Sequence, residues 1–152
     1  MKKITLVDKT ATMRIGSRLA QVCCQQTLIF LSGEVGVGKT TLSRSFLKTL
    51  GYLGHVKSPT YNLVESYTLE KWKVYHFDFY LIFSPEELEF IGIRDYFLPD
   101  SICLVEWPEK GGDFLPNADI NILLSYHGNQ RCASITADSQ YGYALLKKSG
   151  LN

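Results

Sequence analysis

The chain has 152 residues, of which 45% are hydrophobic and 20% charged, with a net charge of +1. That balance fits a single globular domain with a real core and argues against a dominating basic face for nucleic acid. No apolar run approaches the ~20 residues needed to cross a bilayer, and Met1-Lys2-Lys3 is followed by no apolar leader segment, so a cytoplasmic protein with no membrane role is expected.

Charge is unevenly placed along the chain. Residues 1–77 hold 11 Lys/Arg against 4 Asp/Glu, and residues 78–119 hold 2 against 10. Such asymmetry suits either charged docking surfaces or simply solvated faces. Cys23, Cys24, Cys103 and Cys132 form no C-x-x-C or Cys/His ligand spacing, which predicts reduced thiols and no zinc site.

In chain order, Thr12 to Gln26 reads as a helix with Ile15, Leu19, Val22 and Cys23 at helical spacing, capped by Thr10 or Thr12. Thr27-Leu28-Ile29-Phe30-Leu31 is a short apolar run of buried-strand type. Lys39 to Leu50 reads as a helix burying Leu42, Phe46 and Leu50 and stopping at Gly51. Tyr61 to Tyr67 and Trp72 to Tyr80 read as a hairpin, and Ser84-Pro85-Glu86-Glu87 as a capping box opening a short helix that ends near Gly92. Ser101 to Trp107 is another apolar strand. Ile120 to Tyr126 and Arg131 to Thr136 flank Gly128-Asn129 as a hairpin, and Ser139 to Lys148 is a closing helix. The expected architecture is one α/β domain over residues 1–152, with a mostly parallel central sheet, flanking helices and a C-terminal β-hairpin.

The segment Gly33-Glu34-Val35-Gly36-Val37-Gly38-Lys39-Thr40 matches G-x-x-x-x-G-K-[ST] at every fixed position, between the apolar strand and the helix. Phosphate oxygens need many N–H donors at short range, so the backbone must curl around them without Cβ obstruction. Gly33, Gly36 and Gly38 permit that approach. Val37 belongs to the expected nucleotide-binding loop, and Thr41 and the rest of the following helix's first turn add unpaired N–H groups and the positive end of the helix dipole. Lys39 brings a mobile positive charge, and the Thr40 hydroxyl suits Mg²⁺. A site for Mg²⁺ and a nucleoside triphosphate follows. The guanine-reading N-K-x-D pattern is absent, which favours ATP.

Hydrolysis also needs a second metal-shell acid and a group that orients the attacking water. Glu106 closes the apolar strand Ile102-Cys103-Leu104-Val105, at the sheet edge where ligands bind in open α/β folds. It ranks first as Mg²⁺ ligand and water-orienting acid. Asp78, in His76-Phe77-Asp78-Phe79-Tyr80, ranks second; His76 reads first as a surface or packing histidine and otherwise as a group that orients Asp78. Thr60, in Lys57-Ser58-Pro59-Thr60-Tyr61, either offers a hydroxyl to the γ-phosphate region or belongs to a proline-set turn. Trp107 either packs in the core or, bent by Pro108, lies at the rim of the site. Trp72 should lie away from it.

These blocks, taken in order with Ser84-Pro85-Glu86-Glu87-Leu88 and Val105-Glu106-Trp107-Pro108-Glu109, resemble the bacterial TsaE (YjeE) family, the P-loop ATPases of tRNA threonylcarbamoyladenosine biosynthesis. The resemblance implies an ATPase that works with TsaB and TsaD and meets tRNA only through that complex. It implies Thr40 and Glu106 as Mg²⁺ ligands, Lys39 on the phosphates, Asp78 and Thr60 in the hydrolytic machinery, and Thr12 and Glu109 near the nucleotide. One departure stands out. The family's H-x-D-x-Y block usually continues with arginine, where this chain has Leu81, and Arg94 is a candidate substitute. Two other readings remain at this stage. A small-molecule kinase would need an arginine-rich lid, and residues 78–119 contain only Arg94. A nucleotide-sensing module would bind without turnover.

Overall fold

A computed structural model describes residues 1–151. Seven strands form one sheet: β1 (Lys2–Leu6), β2 (Thr27–Ser32), β3 (Val64–Thr68), β4 (Lys73–Asp78), β5 (Ser101–Glu106), β6 (Ile120–His127) and β7 (Gln130–Ala137). Their spatial order is β1-β7-β6-β2-β5-β4-β3. The central four, β6-β2-β5-β4, run parallel, whereas β1–β7, β6–β7 and β3–β4 pair antiparallel. The α-helices are α1 (Lys9–Val22), α2 (Lys39–Thr49), the short α3 (Glu87–Phe90) and α4 (Gln140–Ser149).

Strand parity divides the core in two. On β5, Ile102 and Leu104 join α1, α2 and α4 on one face, while Cys103 and Val105 meet Leu88 and Ile93 on the other. The first face is a layer of regular helices. The second is covered by α3 and the 3-10 turns Ile93–Tyr96 and Pro108–Phe114. Helix α2 has 11 residues and would be marginal alone. Fully buried Leu42, Phe46 and Leu47 hold it to the sheet, each contributing about 1.5–3 kcal/mol by burial. A firmly seated α2 gives the phosphate loop a rigid base.

The structure moves several expected boundaries. Helix α1 starts at Lys9 because the Asp8 carboxylate, not Thr10 or Thr12, caps it by accepting from Ala11 N at 2.9 Å. The first hairpin strand begins only at Val64, after Leu63 turns at φ 69°. Trp72 lies in the turn before β4 rather than on a strand. In the capping box only the returning half forms: Glu87 accepts from Ser84 N at 2.9 Å, while no side chain caps α3 at its start. Strand β1 was not foreseen, although Ile4 and Leu6 alternate with polar neighbours. The Gly128-Asn129 turn does join β6 and β7, with His127 opposite Gln130. No helix among the described residues is long and apolar enough to cross a membrane.

The four cysteines are free thiols. Burial pushes the pKa of half-buried Cys23 and of buried Cys103 up to about 12.

Candidate functional site

The loop from β2 to α2 leaves the C-terminal end of the central strand, between β5 on one side and β6 on the other. A Cβ at Gly33 would stand 2.4 Å from the Leu124 carbonyl, so only glycine lets the loop pass β6. Gly38, at φ 123°, opens α2 without a side-chain cap. The contrast with α1 and α4 is instructive, since Asp8 and Ser139 cap those helices. The first-turn N–H groups of α2 therefore remain available to an anion. The tip of the β6–β7 hairpin braces the loop from outside, with Tyr126 donating its hydroxyl to the Val35 carbonyl at 3.1 Å. No local sequence signal announces that contact.

A cleft of about 310 Å³ opens here, bringing together Gly36, Gly38, Lys39, Thr40 and Thr41 with Thr60, Asp78 and Glu106. Asp78 and Glu106 are register partners on β4 and β5, so their side chains leave the same face of the sheet, toward α2. Both are buried. Asp78 is held at both oxygens: Oδ2 accepts from the Thr60 hydroxyl at 2.8 Å and Oδ1 from Tyr80 N at 2.9 Å. Ser58 Oγ lies 2.8 Å from Thr60 Oγ1, extending this network into the loop before β3. His76 does not take the alternative role of orienting Asp78. Its Nε2 stands 2.6 Å from Glu106 Oε2 instead.

Lys39 is buried, donates to the Gly33 carbonyl and sits 4.3 Å from the centroid of the Trp107 ring. Burial lowers its pKa, and the charges of Glu106, Asp78 and Glu109 offset only part of that effect. Glu109 itself is exposed and does not line the cleft. Thr12 is buried on α1 and lines a second hollow of about 240 Å³ behind the loop, with Gly36, Val37, Gly38 and Thr41. The Val37 side chain belongs to the core, so its contribution to the loop is through the backbone.

The oxygen set fits the metal that the sequence implies. Mg²⁺ is usually held by one or two carboxylates and the substrate phosphates, with waters completing the shell. A hydroxyl (Thr40) and two buried carboxylates beside an uncapped helix N-terminus supply those hard oxygen donors.

A family model for "Threonylcarbamoyl adenosine biosynthesis protein TsaE" matches residues 6–133. The chain belongs to the TsaE family. A tRNA threonylcarbamoyladenosine biosynthesis protein TsaE from Haemophilus influenzae is 44% identical over 144 residues, covering 91% of each chain. One from a Nostoc species is 33% identical over 130 residues, covering 83% of this chain and 79% of that protein. The crystal structure of YdiB from Bacillus subtilis superposes with a TM-score of 0.82 at 24% identity, covering 97% of this chain and 93% of the other.

Against the TsaE pattern, Leu81 is exposed and brings no charge. Arg94 is exposed on its 3-10 turn and does not line the cleft. The cation found beside Tyr80 is Lys110, which donates to the Tyr80 carbonyl and lies 5.2 Å from that ring's centroid and 5.9 Å from that of Trp107.

Trp107 turns the chain at φ 56° directly after β5. That left-handed residue breaks the alternation of the strand and lets the indole line the same cleft as Glu106. A phosphate entering the cleft would compete for the Lys39 ammonium that rests on the indole face. Tryptophan fluorescence should therefore change when Mg-ATP is added, in wild type and in Trp72→Phe but not in Trp107→Phe. Trp72 lines a separate groove with Cys23, Cys24 and Leu50. A signal that disappears with Trp72 instead would remove the indole of Trp107 from the response.

Proposed function

We propose that this chain is a Mg²⁺-dependent ATPase that acts with TsaB- and TsaD-type partners in forming threonylcarbamoyladenosine in tRNA, meeting tRNA only through that complex. The observation that carries this reading is the convergence of Lys39, Thr40, Thr60, Asp78 and Glu106 on one cleft at the uncapped end of α2, in a chain of the TsaE family. Gly36, Gly38 and the first-turn N–H groups cradle the phosphates, and Lys39 neutralises the β and γ charges. The second hollow, beyond Thr41, receives the nucleoside beside Thr12. Thr40 and Glu106 would hold Mg²⁺, which would supply Lewis-acid stabilisation of the charge on the phosphates. Glu106 ranks first for orienting the attacking water and Asp78 second. Asp78, pinned by Thr60 and Tyr80 N, keeps its acceptor geometry without needing to reorganise.

By the family resemblance, the transfer chemistry on RNA is assigned to the TsaD-type partner. Phosphate release should be slow for the isolated chain and rise when TsaB- and TsaD-type proteins are added. A rate unchanged by that pair would favour a nucleotide sensor or a kinase. Tight, salt-sensitive tRNA binding by the lone chain would contradict indirect contact with tRNA.

A further inference from the structure

We infer that His76 is a positioning residue for this site, acting on the metal through Glu106. The inference rests on the reading that Glu106 is a Mg²⁺ ligand. His76 is fully buried on β4, with its ring diagonally across from Glu106 on β5, two positions before the Asp78–Glu106 register pair. Its Nε2 lies 2.6 Å from Glu106 Oε2. A carboxylate so close requires the proton on Nε2, which donates to Oε2. Ser43 Oγ on α2 stands 3.5 Å from the same nitrogen.

Two further observations separate this pairing from ordinary core packing. The Nδ1 atom is buried and has no hydrogen-bond partner among the described residues. A phenylalanine or leucine would fill the space without that cost, so a histidine here serves the bond at Nε2. Second, Glu106 and Lys39 line one cleft, yet the sole ion-pair contact among the described residues is His76 with Glu106. Glu106 is thus engaged from behind, on Oε2, and is not drawn onto the ammonium. Fixing Oε2 leaves Oε1 as the free metal-binding oxygen and restricts the carboxylate's rotation before any ligand arrives. Partners that orient metal ligands in this way typically tune metal affinity by about 10- to 100-fold.

The matched pair His76→Gln and His76→Met tests this. Glutamine can place an amide N–H near the position of Nε2, whereas methionine has similar bulk and no donor. The readouts are Mn²⁺ binding to the protein–ADP complex, followed by electron paramagnetic resonance, and ADP affinity in EDTA. The methionine variant should bind Mn²⁺ about 10- to 100-fold more weakly, with metal-free ADP affinity unchanged within about threefold. The glutamine variant should stay near wild type in both. Wild-type Mn²⁺ affinity in a folded methionine variant overturns the inference, as does an equal loss of metal-free affinity. Should the methionine chain fail to fold, the glutamine chain decides: retained Mn²⁺ binding supports the role and lost binding overturns it. If wild type itself binds ADP with no metal dependence, the Mg²⁺ reading fails first, and that result is distinguishable from the others.

Discussion

Lys39→Ala is expected to weaken ATP binding by about 10- to 100-fold, the equivalent of one charge-assisted hydrogen bond at roughly 1.5–3 kcal/mol. The loss has two parts. The ammonium that meets the β and γ phosphates disappears, and the buried carboxylates of Asp78 and Glu106 lose the cation that shares their cleft. An incoming polyphosphate then faces uncompensated negative charge. The same residue sets a pH dependence. Burial holds the pKa of Lys39 below its ordinary 10.5 despite the neighbouring acids. The folded, nucleotide-free protein therefore binds fewer protons than the unfolded chain between the lowered value and 10.5, and in that window its stability rises with pH. Binding of ATP should run the other way. Affinity should decline as pH climbs through the lowered value, and the variant should lack that decline. Calorimetric titration at several alkaline pH values reads both effects. Unchanged affinity in Lys39→Ala would remove the phosphate loop from the argument.

Sequence made the loop legible because its chemistry is local. Eight consecutive residues, the strand before them and the helix after them specify a phosphate cradle with no reference to the rest of the chain. Glu106 and Asp78 were legible as acids on neighbouring strands, but their register was not. β4 and β5 run parallel with Asp78 opposite Glu106, and nothing in either segment encodes that pairing. His76 shows the cost of this gap. Two positions from Asp78 in sequence, it faces Glu106 across the neighbouring strand. Trp107 illustrates a different limit, since its side depends on a left-handed residue that alternation alone does not reveal. Tyr126 carried no signal because it braces Val35 from a hairpin 91 residues away. Lys110 was missed for a similar reason, its partner Tyr80 lying 30 residues earlier in the chain. Strand β1 is the opposite case: its alternation was present, but its partner β7 lies at the far end of the chain.

Glu106→Gln should leave ATP bound while lowering partner-stimulated hydrolysis by at least ~10²-fold, the usual scale for losing acid–base participation. That factor corresponds to roughly 2.7 kcal/mol in the barrier. The amide keeps the volume of the carboxylate, and its oxygen can still accept from His76 Nε2, so the fold should be undisturbed. What changes is charge. A neutral amide is a poorer Mg²⁺ ligand and a poorer acceptor for the proton of an attacking water. It also removes the largest of the influences that raise the pKa of Lys39, so the ammonium should discharge at lower pH than in wild type. The P-loop contacts themselves remain, which is why binding and turnover should separate. Asp78→Asn is the necessary comparison. Asp78 is already committed to Thr60 and Tyr80 N, and its replacement should disturb the Thr60 loop as well as the rate. Phosphate release measured with both variants in the presence of the partner proteins distinguishes the two acids. Full activity in Glu106→Gln with loss in Asp78→Asn would transfer the water-orienting role to Asp78.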